Sequence, residues 1–283
     1  SVNSVRRVGE LAPVCTSFSP DGKTLASASA DGTLKLWAVN GKLLQTLEGH
    51  EGEVLGVSFS PDGKTLASAS SDHTIKLWTR NGKLLRTIEG HKGEVLGVSF
   101  SPDGRTLASV SSDQTVKLWR LDGTLRQTLE PHEDSILSVS FSPNGRSIAL
   151  ASAERTVQLW RRTGQLFQPL ATKLQGHRAS VLGISFSSDS RIIASAGADN
   201  TVRLWNQDGT LLATLQGHQD IVLGVNFSPD GKVLASASFD NTAIVWNLDI
   251  DALLERGCNW LKDYLKTNSK VREENRQLCH EIK

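Results

Sequence analysis

Apolar and polar positions alternate along most of the chain in short runs. Val54-Leu55-Gly56-Val57-Ser58-Phe59-Ser60, Thr65 to Ser70 and Thr74-Ile75-Lys76-Leu77-Trp78 are rich in β-branched, aromatic and small residues, and the last alternates with a clean period of two. That spacing predicts half-buried strands. Ser60-Pro61-Asp62-Gly63 separates the first two runs. Proline presets φ, aspartate bonds the local backbone and glycine accepts a positive φ, so the segment predicts a tight turn. Ser71-Asp72-His73 turns the chain again, Asn81-Gly82 is a two-residue hairpin signal, and Leu84 to Ile88 makes a fourth strand. The stretch therefore predicts a four-stranded antiparallel meander.

The unit recurs. Gly49 to Trp78 returns as Gly90 to Trp119, returns in more worn form ending at Trp160, Trp205 and Trp246, and lacks its opening in the copy that ends at Trp37. The tryptophans are 41 residues apart (78 − 37), except for 45 between Trp160 and Trp205 (205 − 160). A fixed period of this size predicts an array of one supersecondary unit. A single such sheet buries neither face, whereas sheets packed face to face around an axis bury each other.

Gly-His, then Ser-x-Asp-x-Thr, then Trp, repeated about every forty residues, resembles the WD40 repeat family, and the resemblance covers residues 9–248. It implies an all-β fold, a β-propeller of six four-stranded blades. The residue after each tryptophan departs from the family pattern: Ala38, Thr79, Arg120, Arg161, Asn206 and Asn247 stand where the family often has Asp. Val5 and Val8 are expected to supply the outer strand that the last repeat lacks, which would close the ring and remove its exposed edges. The alternative is a seven-bladed ring in which Ser1 to Val5 is the stub of an incomplete repeat. The fourth repeat is irregular, with Pro131-His132 for Gly-His, Glu154 for Asp, Leu150 for a strand serine, and an outer segment carrying Pro169.

From residue 249 to 283 the period changes. Ile250, Leu253, Leu254, Cys258, Leu261 and Leu265 fall on one helical face behind Asp249 as N-cap, and Asn268-Ser269 opens a second helix. The expected domains are thus a propeller over 1–248 and a helical hairpin over 249–283. It resembles tails on repeat-rich bacterial WD40 proteins, which implies a module of a larger signalling polypeptide.

Charge and composition narrow the function. The formal net charge of +1 over 283 residues gives no bulk attraction to nucleic acid or an anionic membrane. No apolar run reaches membrane-spanning length. Three cysteines do not make a disulfide scaffold, so a cytoplasmic monomer is expected, and whether Cys258 and Cys279 pair stays open. The histidines show no metal-ligand spacing and no phosphate-loop motif occurs, so neither metal nor cofactor is expected.

Each blade assembles Ser, His and Asp, the residue types of a hydrolase triad. The sets are Ser68 or Ser70 with His50, Asp72 and Trp78; Ser109 with His91, Asp113 and Trp119; Ser195 with His177, Asp199 and Trp205; and Ser236 with His218, Asp240 and Trp246. The family resemblance implies instead a chain of buried hydrogen bonds, and recurrence with the period of the fold favours that structural role. No catalytic residue is expected. The most informative surface signal is one acidic rim, with Glu51, Glu53, Glu94, Glu133, Asp134 and Asp220 against Lys92 and Arg178, opposite a mildly basic one. Phe239 breaks the repeat there, since its equivalents are Ala or Ser, and reads either as an aromatic anchor for a partner or as a residue packing under the helical tail. These residues point to a non-catalytic scaffold or sensor binding a protein or peptide. The rival readings are a repeat-amplified structural propeller with no dedicated partner, and a propeller enzyme.

Overall fold

The computed structural model describes residues 13–129 and 134–249. Blade one is built from β1 (Pro13–Phe18), β2 (Thr24–Ser29), β3 (Leu34–Ala38) and β4 (Leu43–Leu47). Blade two follows as β5 (Val54–Phe59), β6 (Thr65–Ser70), β7 (Ile75–Thr79) and β8 (Leu84–Ile88). Blade three comprises β9 (Val95–Phe100), β10 (Thr106–Ser111), β11 (Val116–Arg120) and β12 (Leu125–Leu129). In blade four, β13 (Ile136–Phe141) and β14 (Ser147–Ser152) precede the longer pair β15 (Thr156–Thr163) and β16 (Leu166–Gln175). Blade five contains β17 (Val181–Phe186), β18 (Ile192–Gly197), β19 (Thr201–Asn206) and β20 (Leu211–Gln216). Blade six contributes β21 (Val222–Phe227), β22 (Val233–Ser238) and β23 (Ala243–Asn247). Every sheet is an antiparallel meander in chain order. The fold is an all-β, six-bladed propeller of four-stranded blades, the last showing three strands among the described residues. The helical hairpin expected over 249–283 and the N-terminal closing strand lie outside those residues, Asp249 apart. Among the described residues no helix is long and apolar enough to cross a membrane.

The core lies between blades. Ala67 and Ala69 of β6 and Ile75 and Leu77 of β7 turn one face toward blade three, where they meet Val95, Val98 and Phe100 of β9 in one buried cluster. Equivalent clusters fill the junctions of blades one and two, three and four, four and five, and five and six. Burying each such Val, Leu or Phe side chain is worth roughly 1.5–3 kcal/mol, so the gain accrues at junctions. Inner strands approach so closely that a side chain is excluded: a Cβ on Gly56 would lie 3.0 Å from the Cα of Gly97. Blade four accommodates its longer hairpin by burying Phe167 edge-on against Phe141 at 6.1 Å. Gln127 of blade three then bridges outward, donating to the Phe167 carbonyl at 2.8 Å and accepting from its N–H at 3.0 Å.

The turns follow their residues. Ser60 Oγ donates to Asp62 at 2.6 Å, the Lys64 N–H donates to the same carboxylate at 3.0 Å, and Gly63 takes φ 66°. At the other end, the residue after each loop acid is left-handed: His73, Gln114, Arg155, Asn200 and Asn241, with Gly32 in blade one. A left-handed backbone costs a β-branched residue most, roughly 1–2 kcal/mol. Gln114→Val is therefore expected to lower stability by about that amount, whereas Gln114→Gly holds or raises it. Urea denaturation of both variants checks this, and an unaffected Gln114→Val would show that the loop does not enforce the conformation.

Candidate functional site

The antiparallel register assembles the repeated polar set. His50 lies in the loop between β4 and β5, Ser68 in the middle of β6, Asp72 in the β6–β7 loop, and Trp78 on β7, where it pairs with Leu66. Trp78 reaches diagonally across the sheet, and its Nε1–H donates to Ser68 Oγ at 2.8 Å. Ser68 Oγ lies 2.7 Å from His50 Nε2, and His50 Nδ1 lies 2.7 Å from Asp72 Oδ2. One proton arrangement satisfies the chain with a neutral ring: the hydroxyl donates to Nε2 and Nδ1–H donates to the carboxylate. Asp72 also accepts from the Thr74 hydroxyl at 2.7 Å and from the Glu51 N–H at 3.1 Å. A single carboxylate thereby ties the 50–52 loop to the 71–74 loop.

The same bonds recur in blade three through His91, Asp113, Ser109 and Trp119. Blade five makes them with His177, Asp199, Ser195 and Trp205, and blade six with His218, Asp240, Ser236 and Trp246. In blade five Arg203 adds a guanidinium 6.0 Å from the Trp205 ring centre. Blade one keeps the Trp37–Ser27 bond at 2.9 Å, and its Asp31 accepts from Thr33 and Lys35. Blade four is the exception: Leu150, fully buried, occupies the serine position, and Glu154 pairs with Lys173 at 3.6 Å. Thr74, Thr115, Thr201 and Thr242 are carboxylate partners that the sequence reading did not single out. The signal was there in the Asp-x-Thr spacing, which favours a local side-chain-to-backbone turn.

Burial pushes the His50, His91 and His177 imidazoles below the usual histidine value, although the facing carboxylates act in the opposite direction. Burial raises the Asp72 carboxyl, but the Thr74 and His50 hydrogen bonds outweigh it and hold it at about 2. Asp113 and Asp199 are likewise lowered by their hydrogen bonds against the effect of burial. The connectivity of serine, histidine and aspartate matches that of a hydrolase triad. Its setting does not, because Ser68, Ser109 and Ser195 have 0% exposure and each hydroxyl already accepts from an indole.

The rim residues surround these networks at the end of the fold that carries the β4–β5 and β6–β7 loops. Glu51, Glu53, Glu94, Asp134, Arg178 and Asp220 are exposed, and Glu133 lies outside the described residues. Backbone bonds hold the loops together: Ser71 N–H donates to the Glu53 carbonyl at 2.9 Å, Ser112 to Glu94 at 3.0 Å, and Phe239 to Ile221 at 3.0 Å. Phe239 is 58% exposed in that ring. At the opposite end, Arg146, Arg161 and Arg162 of blade four line an open cleft of about 490 Å³ with Asn144 and Gln207.

A family model described as WD domain, G-beta repeat matches residues 4–38, 41–79, 82–120, 123–161, 167–206 and 209–247. Comparison with curated proteins finds no match.

Removing one member of a network leaves buried groups unpaired, at roughly 1–3 kcal/mol each. Ser109→Ala is expected to destabilise by at least that amount, because the Trp119 indole donates to its hydroxyl and His91 Nε2 faces it. An unchanged denaturation midpoint for Ser109→Ala would contradict the role of the hydroxyl. The pH dependence has a definite sign. Histidines lowered in the folded state refuse protons that the unfolded chain binds, so stability is flat above pH ~6.5 and falls below it, by up to about 1.4 kcal/mol per pH unit for each ring. The aspartates, lowered when folded, add a second loss as pH falls from about 4 toward 2. Denaturation midpoints that stay level between pH 7 and 5 would rule out the histidine contribution.

Proposed function

The chain belongs to the WD40 family, and on that premise we propose that it is a non-catalytic scaffold whose acidic rim docks a basic segment of a partner protein or peptide. WD40 propellers are generally protein-interaction scaffolds. What supports the finer reading is the contrast between two sets of polar residues. The groups with triad chemistry are buried and mutually satisfied, while exposed carboxylates crowd one end of the propeller. Glu51, Glu53, Glu94, Asp134 and Asp220 project from equivalent loops: Asp72 accepts from the Glu51 N–H, the Glu53 and Glu94 carbonyls accept backbone bonds, and the Asp134 and Asp220 carboxylates accept from the N–H of the next residue. Exposed carboxylates carried on tethered loops favour a cationic ligand and raise its rate of encounter. Phe239 offers an aromatic anchor beside them, of the kind that concentrates binding energy at interfaces. The reading has the module act as a monomer in the cytoplasm.

Lys- and Arg-rich peptides are the direct probe. Wild-type protein is expected to bind a basic 15-residue peptide library with affinities that weaken as salt rises from about 50 to 300 mM. The triple variant Glu51→Lys, Glu94→Lys, Asp220→Lys should bind at least about tenfold more weakly, chiefly through a slower association rate. Phe239→Ala should leave the salt dependence intact and speed dissociation. Equal affinity of wild type and triple variant for every basic peptide would sink the proposal.

A further inference from the structure

The end of the propeller opposite the acidic rim carries the turns between first and second strands and the hairpins between third and fourth. In every blade but the fourth the turn holds an aspartate two residues before a lysine or arginine, as Asp62 stands before Lys64 and Asp189 before Arg191. The hairpins of the same blades hold Asn or Asp three residues after the tryptophan, as Asn81 and Asp122 do. Basic side chains there meet carboxylates: Arg80 pairs with Asp21 of the neighbouring blade at 3.0 Å, Arg191 reaches Asp189 at 3.9 Å, and Lys232 reaches Asp249 at 2.8 Å. Blade four departs at both places. Asn144 stands in its turn, Thr163 in its hairpin, and Arg161 and Arg162 follow Trp160.

Arg146, Arg161 and Arg162 are exposed around the cleft, and none of them is in an ion pair among the described residues. Arg162 is the counterpart of Arg80, but its Nε–H donates to the Gly164 carbonyl at 3.2 Å instead of pairing with Asp103, the counterpart of Asp21. Asp103 feels it at longer range: burial raises that carboxyl, and the Ser101 hydroxyl, the Arg105 N–H and the charge of Arg162 bring it below its ordinary value. Asp189, across the junction, is taken up by the Ser187 hydroxyl and the Arg191 N–H. Asn144 inverts the character of one atom. Its Oδ1 accepts from the Ser142 hydroxyl at 2.8 Å and from the Arg146 N–H at 2.9 Å, so an amide donor stands where a turn aspartate has its second carboxylate oxygen. The wall toward blade five is tied down. The Asn144 N–H donates to Ser190 Oγ at 3.1 Å, the Ser147 hydroxyl donates to Gln207 Oε1 at 3.3 Å, and Gln207 Nε2 donates to the Ser190 carbonyl. The corresponding cleft of blade two, about 410 Å³, sets Asp62 beside Lys64 and Arg80. The cleft of blade four, about 490 Å³, has three guanidinium groups and no carboxylate in its lining.

We propose that this cleft binds a small organic phosphate carrying two or more negative charges. Three guanidinium groups outmatch a dianion in charge, and each presents paired N–H donors in a planar fork that phosphate oxygens accept. The Asn144 amide adds a donor where a turn aspartate would repel the ligand. Size and lining favour a small ligand over a macromolecule: a cleft of about 490 Å³ suits a small molecule, and it has no apolar or aromatic side chain to hold the flanks of a peptide. The inference does not rest on the acidic rim, which lies at the other end.

Sodium pyrophosphate, titrated calorimetrically into the whole chain, is the probe. Saturable binding at one site per chain is expected, weakening as salt rises from about 50 to 300 mM. Arg146→Gln is expected to weaken it about tenfold, and Asn144→Asp, which restores the carboxylate of the other turns, by at least as much. Lys64→Gln, the matching change in the cleft of blade two, should leave the affinity within about twofold. All three positions are exposed, so melting temperatures within about 2 °C of the wild type separate lost binding from lost folding. A wild type that takes up no pyrophosphate at about 5 mM overturns the proposal. Equal losses from Arg146→Gln and Lys64→Gln also overturn it, since binding would then belong to the basic end at large. A phosphoserine peptide of about 15 residues that binds at least about tenfold more tightly than pyrophosphate, and is released by Asn144→Asp, makes the occupant a protein segment and overturns the assignment to a small ligand.

Discussion

A small antiparallel sheet with two apolar faces cannot stand alone in water, and everything else in this fold follows from that. Alternation along each strand divides its side chains between two faces, and in the inner three strands both are apolar or small. Neither becomes dry until another sheet covers it. The stabilising clusters accordingly span blade boundaries, as where Ile75 and Leu77 of blade two meet Val98 and Phe100 of blade three. A blade is thus a structural unit without being a stable one, and stability is a sum over junctions. Close contact also dictates composition: serine and alanine line β6, and glycine sits at 56 and 97, because larger groups would hold the sheets apart.

Packing alone leaves the loops at one end untethered, and there the buried polar chain acts. The indole of Trp78 donates inward, the hydroxyl of Ser68 relays to the imidazole, and the carboxylate of Asp72 gathers N–H and O–H groups from two loops. Desolvation favours the neutral imidazole, and the aspartate draws enough hydrogen bonds to remain a carboxylate despite its surroundings. The arrangement converts a costly set of buried polar groups into a clamp that fixes where Glu51 projects. In this network the hydroxyl, the imidazole and the carboxylate are already bonded to one another and to the indole.

Much of this was legible in the residues. The strands of blade two fall within a residue of where alternation and turn chemistry place them, because Pro61-Asp62-Gly63 and Asn81-Gly82 have few other conformations open to them. The polar set was legible through its recurrence beside Trp78, Trp119, Trp205 and Trp246. The threonine partners of the aspartates stand in the Ser-x-Asp-x-Thr pattern, but their bond to the carboxylate is not legible there, since a threonine at a strand start has an adequate explanation in β-propensity alone. What repetition hides is position in the array. Phe18 and Phe59 are the same letter at the same phase of the repeat, yet one is exposed and the other buried. Burial here is a property of the neighbour, and no local pattern records whether a neighbour exists.

That distinction bears on where binding energy is available. Inside the array, apolar faces and polar chains are spent on holding blades together, and the copies in blades two and three differ too little to distinguish one partner from another. Specificity needs places where the repeat is broken. Among the described residues the structure has two kinds: substituted rim positions such as Phe239 and Asp220, and the altered hairpin of blade four with its arginine-lined cleft. Both are surfaces to which a ligand adds contacts without changing the scaffold. They carry opposite charge, so the same rise in ionic strength weakens a cationic ligand at one and an anionic ligand at the other.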